Sequence, residues 1–495
     1  MAVIHIEKLD EVFVRVYSEP STEKELCDFF TYEFPGAKFT PQYKARLWDG
    51  KVRMYDPIRK SLYLGLVSYV ERFAAENGDT VEYITPVLEK TLVTPEEITA
   101  FASKLKPHSR GEPIEIRDYQ LEAVHTALER SRVLLLSPTA SGKSFIIYLT
   151  MMWHLSKKRK CIIIVPTTSL VEQLQSDFRE YSSVNGFDVD KHCQKLYSGF
   201  SKVISSSVLI TTWQSIYLQP KSWFAQFDVI FGDEAHQFKA KSLTTVMEKM
   251  ADVKYRIGTT GTLDNKKVHQ LVLEGIFGPI HRVTTTKKLM DQGSLTQLAI
   301  TCVVLKYPEA IRKEMNKSDY QTELDYVVTN HKRNRYITDL TLKFEGNSLV
   351  LFQFVEKHGK VLHKMIEEGV AEGRKVFFVH GGTDTSRREE IRALCAKETN
   401  AIIVASFGTF STGINIPSIE NIVFASPSKG KIRNLQSIGR GLRLNNGKTI
   451  CNLYDIADDL QWKKNVNHTL KHAAERYKIY AEEQFNVKLL GVNLE

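Results

Sequence analysis

From about residue 114 the chain settles into short runs of apolar, β-branched residues separated by stretches with helical spacing. Val133–Leu136, Cys161–Val165, Val208–Thr211, Val229–Phe231 and Arg256–Thr259 read as strands, with amphipathic helices between them. Apolar strands alternating with helices predict a parallel sheet, because each crossover lays a helix on the sheet and buries it. A second series begins near 296: Ala299–Leu305, Ser348–Phe354, Val376–Val379, Ala401–Ala405, Asn421–Ala425 and Ile450–Tyr454. The pattern therefore predicts two α/β lobes in tandem. Their boundary falls within 278–298, where Phe277-Gly-Pro279 and Gly293-Ser294 offer breaks.

The flanks differ from this repeat. Residues 1–92 mix alternating strands such as Val12–Tyr17 with helical stretches such as Thr22–Tyr32, predicting a small α+β domain. A helix from Thr94 to Leu105, opened by Thr-Pro-Glu-Glu, and a loop through Pro107–Pro113 make a linker over 93–113. Lobe 1 is expected over 114–290 and lobe 2 over 291–458. A helical extension is expected over 459–495, with Asp459 to Gln484 polar and showing no strand. His331-Lys-Arg-Asn-Arg335 reads as an exposed basic helix face.

Composition narrows the setting. With 495 residues and 42% hydrophobic positions the chain can bury several ordinary cores. A formal charge of +9 favours a polyanionic partner. The six cysteines are scattered with no Cys-x-x-Cys pair, so neither a disulfide framework nor a zinc site is expected. No apolar run approaches the roughly 18–20 residues of a membrane span, and the N-terminus lacks a secretion signal. These features predict a soluble intracellular protein with no membrane contact.

The first candidate chemistry is Ser137-Pro-Thr-Ala-Ser-Gly-Lys-Ser144, set between a strand and a helix. The small residues Ser137, Pro138, Thr139, Ala140, Ser141 and Gly142 let backbone N–H groups and the helix N-terminus face a phosphate. Lys143 can reach β- and γ-phosphates, and the Ser144 hydroxyl can ligate Mg²⁺. About 90 residues on comes Phe231-Gly-Asp233-Glu234-Ala235-His236. A carboxylate at a strand's carboxyl end can hold Mg²⁺ through water, and its neighbour can deprotonate an attacking water. Asp233 takes the first role and Glu234 the second. An isolated acidic pair after a strand is usually a solvated turn; its place after an independent phosphate loop changes that. In Gln436-Ser-Ile-Gly-Arg440-Gly-Leu-Arg443, two arginines three apart share a helix face and suit the spread charge of phosphoryl transfer.

Further segments complete an ordered set: Arg117-Asp-Tyr119-Gln120, Val165-Pro-Thr-Thr-Ser-Leu170, Ile210-Thr-Thr-Trp-Gln214, Thr260-Gly-Thr262 and Phe410-Ser-Thr-Gly-Ile-Asn-Ile-Pro417. With the three above, eight motifs in order over 114–460 resemble the superfamily 2 helicases and translocases of the Asp-Glu-Ala-His type. The whole chain, N-terminal block included, resembles the phage branched-DNA helicases of that superfamily. The resemblance implies two tandem RecA-like lobes that bind Mg·ATP, the lobe-2 residues Arg440 and Arg443 reaching the phosphates. Gln120 would read adenine, and Arg117 or Tyr119 would pack on the base. Gln436 would lie near the γ-phosphate and His236 between the lobes, while Thr260 and Thr262 would couple hydrolysis to movement. Pro166, Thr167, Thr211, Thr212 and Trp213 would meet the nucleic-acid backbone from lobe 1, and Gly381, Gly382, Thr409 and Ser411 from lobe 2. The implied partners are branched, single-stranded and duplex DNA, and RNA within R-loops. The implied protein is a monomer in the host cytoplasm. Ser137 and Ala140 depart from the usual glycines of the loop but stay small. A double-strand translocase without strand displacement and an ATP-gated nucleic-acid clamp remain alternative readings.

The N-terminal block carries a local basic stripe. Residues 38–60 hold seven basic against two acidic side chains, although residues 1–110 are slightly acidic overall. Asp49-Gly50 is a strong hairpin signal, and a two-residue turn there would oppose Trp48 to Lys51, Arg46 to Arg53 and Lys44 to Tyr55. Those six side chains would share one face, either a DNA-facing surface or the solvated outer face of an ordinary hairpin, with Ala45, Leu47, Val52 and Met54 on the face that can bury. Opposed Arg46 and Arg53 would repel, and a phosphate between them would relieve the repulsion.

Overall fold

The computed structural model describes all residues except 1, 35, 110, 198, 200–202, 239, 264–265, 385–389, 392–393, 395–397, 413–418, 428–449 and 495, and only the backbone of 410–412. Two compact units emerge, Met1–Ser137 with Gly142–Thr284, and Thr285–Glu495 with the short segment Pro138–Ser141. Among the described residues, no helix is long and apolar enough to cross a membrane.

The first unit opens with the small α+β domain. Its sheet runs Ser61–Tyr63, Phe13–Tyr17, Val3–Lys8, Thr80–Tyr83. Period-2 alternation decides its faces: Ile4, Ile6, Val14 and Val16 are fully buried while the intervening side chains face outward. Helices Pro20–Phe29 and Val67–Asn77 contribute Leu26, Val67, Val70 and Phe73 to that core.

The lobe-1 sheet is wholly parallel, in the order Cys193–Leu196, Val208–Thr212, Cys161–Val165, Val229–Asp233, Tyr255–Thr260, Arg132–Leu136, Ile280–Arg282. All five strands expected from the apolar runs are present. The two edge strands, Cys193–Leu196 and Ile280–Arg282, are short and half-polar and gave no clear run to read.

The α+β domain is packed directly on this lobe. Val268 and Leu271, from helix Lys267–Phe277, lie in its hydrophobic cluster. Buried Arg132 donates to the Glu11 carbonyl at 2.8 Å and stands 3.3 Å from the Glu11 carboxylate. Glu11 N–H in turn donates to Ala251 O. Closest of all is Gly65, where an added Cβ would come within 2.0 Å of Glu274 O. Only the absence of a side chain allows that approach.

The second unit repeats the architecture. Its seven parallel strands run Val376–Val379, Ile402–Ser406, Asn347–Phe352, Ile419–Phe424, Ile450–Asp459, Gln297–Lys306, Asn486–Asn493. Asp455 and Asp458 are three apart on one strand and so project from opposite faces. Asp458 pairs with Arg333 at 2.7 Å and accepts from Tyr307 OH; Asp455 pairs with Arg476 at 2.6 Å and accepts from Tyr480 OH. Both acids and both arginines are fully buried or nearly so. They tie helix His331–Leu342 to one face and helix His468–Glu482 to the other.

Two expectations are corrected here. The segment 331–335 is not an exposed face throughout: Arg333 and Asn334 are buried, because the helix turns them onto the sheet. The C-terminal extension does hold a helix, but it ends in a strand, Asn486–Asn493, parallel to Gln297–Lys306. That strand is an edge whose side chains are mostly exposed, so it shows no buried apolar run.

Overpacking a close-approach position typically costs about 1–3 kcal/mol. Gly65→Ala should lower stability by an amount in that range, read as an earlier urea-unfolding midpoint; a midpoint equal to wild type would contradict the docking of the two domains.

Candidate nucleotide site and nucleic-acid surfaces

Open parallel sheets bind ligands beyond the carboxyl ends of their strands. Register places Asp233 beside Thr259 and Thr260 beside Leu136, so three lobe-1 strands end together. Ser137 N–H donates to Thr260 O at 2.8 Å, starting the phosphate loop from that edge. Within the loop, Ser141 N–H and Oγ both donate to Pro138 O. Ala140 (φ 65°) and Gly142 (φ 88°) adopt left-handed backbone, the geometry that turns successive N–H groups inward to cradle an anion. Glycine at position 140 would adopt that backbone without the strain alanine carries there. Helix Lys143–Ser156 follows at once, with Phe145–Met151 all buried.

Lys143 Nζ lies 3.5 Å from Glu234 Oε1. Glu234 has left-handed backbone (φ 49°), which turns the chain from strand Val229–Asp233 into the short helix Ala235–Gln237. Non-glycine residues in that region are uncommon and cluster at functional sites. Burial opposes ionisation of Glu234, but Lys143 and then His236 outweigh it and hold the carboxyl down at about 2. Burial and the Glu234 charge push Asp233 upward, opposed by Lys143 and by Thr259 Oγ1, which donates to Asp233 Oδ1 at 2.7 Å. Glu234 Oε2 is buried and makes no hydrogen bond. His236 Nδ1 stands 3.3 Å from it without hydrogen-bonding geometry, and 3.1 Å from Thr260 Oγ1. Thr260 Oγ1 donates to Thr262 O at 2.9 Å. Lys143, Glu234, His236, Thr260 and Thr262 thus form one continuous polar chain.

Gln120 and Tyr119 are buried on helix Asp118–Arg130. Gln120 Oε1 accepts from Arg117 N–H at 3.1 Å, and Arg117 Nη1 donates to Tyr119 OH at 2.9 Å. An added Cβ on Gly142 would sit 2.4 Å from Gln120 Nε2, so Gln120 lies directly against the phosphate loop. Among the described residues, no group of three or more His, Cys, Asp or Glu could hold a metal by itself. A cation here would be held by Ser144 and Asp233 together with nucleotide phosphates. The Ser144 hydroxyl also has a protein partner that no motif singles out, Tyr181 OH at 2.9 Å.

Pro166, Thr167, Thr212 and Trp213 stand at the carboxyl ends of the neighbouring strands Cys161–Val165 and Val208–Thr212. Pro166, Thr167 and Trp213 are partly exposed, and Thr212 is nearly buried. Thr211 departs from its expected role as a surface contact: it is fully buried and its hydroxyl donates to Leu196 O. In the second unit Gly381 and Gly382 are exposed after strand Val376–Val379, whereas Thr409 is buried with its hydroxyl 2.8 Å from Ser406 Oγ. Gln436, Arg440, Arg443 and the side chain of Ser411 lie outside the described residues.

The expected hairpin at Asp49-Gly50 does not form. Pro41–Lys44 is a helical turn capped by Thr40, and Arg46 is left-handed (φ 57°), so this arm is not a strand. Strand Lys51–Arg53 pairs instead with Thr31–Glu33. Proline after a capping threonine nucleates helix locally and outcompetes the turn signal. Arg46 therefore does not oppose Arg53, whose guanidinium pairs with Asp49 at 2.6 Å. Tyr55 is buried, its OH donating to Val16 O, and Leu47, expected inside, is 81% exposed. Lys44, Arg46, Lys51 and Arg53 are nonetheless all exposed, and Trp48 packs on Phe34 beside them. The basic patch persists on a different scaffold.

Three family models match this chain: "DNA helicase UvsW, N-terminal" over 4–84, "Type III restriction enzyme, res subunit" over 113–265 and "Helicase conserved C-terminal domain" over 332–445. The "Putative ATP-dependent helicase IRC3" of Saccharomyces cerevisiae is 23% identical over 69% of this chain and 51% of its own length. The DNA-bound Type ISP restriction-modification enzyme LlaBIII, 16% identical with a TM-score of 0.58 over 77% of this chain and 32% of its own, shares the fold. The crystal structure of T4 UvsW is 32% identical, with a TM-score of 0.53 over 99% of this chain and all of that one. The ATP-dependent DNA helicase uvsW of Enterobacteria phage T4 is 34% identical over 97% of this chain and 98% of its own. With likeness along its whole length and an N-terminal domain of the matching kind, the chain belongs to the UvsW family of ATP-dependent DNA helicases.

Proposed function

We propose that this helicase uses Mg·ATP to unwind and branch-migrate branched DNA, including Holliday junctions, stalled forks and R-loops, and anneals strands, acting as a monomer in the host cytoplasm. The observation that carries the catalytic half is the partly buried polar chain from Lys143 through Glu234 and His236 to Thr260. The phosphate loop and the N-terminus of helix Lys143–Ser156 bind the triphosphate, and Lys143 its β- and γ-oxygens. Bound Mg²⁺ supplies positive charge at those oxygens, and Ser144 and Asp233 are the residues to hold it. Phosphate draws Lys143 from Glu234. Glu234 then loses the counter-charge that keeps it a weak base, and its Oε2 takes the proton of the attacking water. Thr260, hydrogen-bonded towards both His236 and Thr262, passes the change out of the site. Arg440, Arg443 and Gln436, by the motif they occupy, stabilise phosphoryl charge in the transition state. Gln120, with Arg117 and Tyr119, reads the base.

Nucleic acid is assigned to Pro166, Thr167, Thr212, Trp213, Gly381, Gly382 and Ser411, with Thr211 and Thr409 shaping those surfaces from beneath. The exposed patch of Lys44, Arg46, Lys51 and Arg53 extends the contact on the side of the N-terminal domain. The branched-substrate reading is supported by full-length likeness to the T4 enzyme.

Glu234→Gln should cut steady-state ATPase by about 10²–10⁴-fold while a fluorescent ATP analogue still binds. An ATP-gated clamp would instead show no turnover to lose. Strand displacement on a synthetic four-way junction, beside a blunt duplex, should favour the junction; ATP turnover with no displaced strand on either would support the double-strand translocase. Replacing Lys44, Arg46 and Lys51 with glutamine should weaken DNA binding and lower the salt slope by about 0.9 for each phosphate that is no longer neutralised. An unchanged slope across several salt concentrations would remove the patch from the interface.

A further inference from the structure

The Ser144 hydroxyl and Tyr181 OH stand 2.9 Å apart, and the surroundings hold Tyr181 in that position. Its ring meets Phe145 edge-on at 5.1 Å and Tyr148 at 5.4 Å. Tyr148 is fully buried, and its own OH is fixed by Ser182 Oγ and Asn185 Nδ2, each at 2.9 Å. Tyr181 is also the last residue of helix Thr168–Tyr181, whose N-cap is Thr167. The Thr167 side chain accepts from Leu170 N–H, so the turn before the helix and the helix itself are joined. Val171, Leu174 and Phe178 bury the inner face of that helix along its length. Fourteen residues span about 21 Å. One packed element therefore carries the nucleic-acid turn at one end and the partner of Ser144 at the other.

We propose that Tyr181 is a positioning residue through which nucleic acid at the Thr167 turn acts on the cation-binding hydroxyl of Ser144. This rests on the reading of Ser144 as a cation ligand and of Thr167 as a backbone contact. A serine hydroxyl has one proton and two lone pairs, and it serves a cation best when its proton is taken up elsewhere. Tyr181 OH accepts that proton and turns a lone pair of Ser144 towards the ion. Hydrogen bonds weaken steeply with misalignment, so a small displacement of the helix changes how well the hydroxyl is presented. Binding at two sites that share such an element is reciprocally linked: DNA tightens Mg·nucleotide, and Mg·nucleotide tightens DNA by the same factor.

Tyr181→Phe keeps the ring packing and deletes only the hydroxyl. The test uses the full chain, a non-hydrolysable fluorescent ATP analogue and a Mg²⁺ titration, with and without a synthetic duplex carrying a single-stranded branch. In the wild type, DNA should lower the Mg²⁺ midpoint for analogue binding several-fold. In the variant the DNA-free midpoint should rise about 3–10-fold and the DNA-dependent shift should vanish. Analogue binding in excess chelator, DNA affinity without nucleotide and the thermal unfolding midpoint should stay at wild-type values. A variant that keeps the wild-type midpoint or the DNA-dependent shift overturns the proposal, as does a wild type with no shift. Ser144→Ala separates the two layers. If it also leaves the Mg²⁺ midpoint untouched, the cation reading of Ser144 has failed, and Tyr181 loses its role with it.

Discussion

The attraction between Lys143 and Glu234, 3.5 Å apart in a largely buried site, organises the nucleotide lobe. Either charge alone would be costly to bury. Together they are tolerable, and they bring the first residue of a helix against the residue that follows the central strand. Left-handed backbone at Gly142, just before Lys143, and at Glu234 itself turns the chain on each side of the pair. A carboxyl held near 2 is a poor base. On the function proposed above, the same pairing would keep that base quiet until phosphate competes for the lysine.

A second constraint is rigidity between the small α+β domain and lobe 1. Gly65 against Glu274 O, Glu11 against Arg132 and the shared cluster around Val268 and Leu271 leave little room for relative movement. The basic patch at 44–53 is therefore displayed from the unit that holds Lys143 and Glu234.

The second lobe solves its packing differently. Asp455 and Asp458 anchor a helix on each face of one strand through fully desolvated arginine pairs, reinforced by tyrosine hydroxyls. Such pairs add little net stability over well-packed apolar groups, but losing either member strands a buried charge. Their effect here is to fix which helix lies on which face, at which height, along the strand next to the last two of the sheet.

Both sheets were legible along the chain because a strand buried on two faces needs a continuous apolar run, and a crossover helix needs its own period. The candidate phosphate loop and the Asp233–Glu234 pair stood out for a related reason: phosphate chemistry would call for small residues, a lysine and carboxylates at fixed spacing, whereas Gln120 was read only from the resemblance its motif carries. What failed was local competition and long-range company. Asp49-Gly50 promises a hairpin, yet Thr40-Pro41 starts a helical turn and strand Lys51–Arg53 finds Thr31–Glu33 instead. Arg333 looks like surface until a strand more than a hundred residues later supplies Asp458. Strand Asn486–Asn493 is exposed, so nothing in its composition marks it. Tyr181 meets Ser144 only because two helices pack side by side. The amino-acid order by itself determined the two-lobed plan and the candidates for phosphate handling, since those are set by local periodicity and residue chemistry. Tertiary packing alone decided which charges are buried, which edge the last strand extends and what touches the Ser144 hydroxyl, because each depends on partners remote in the chain.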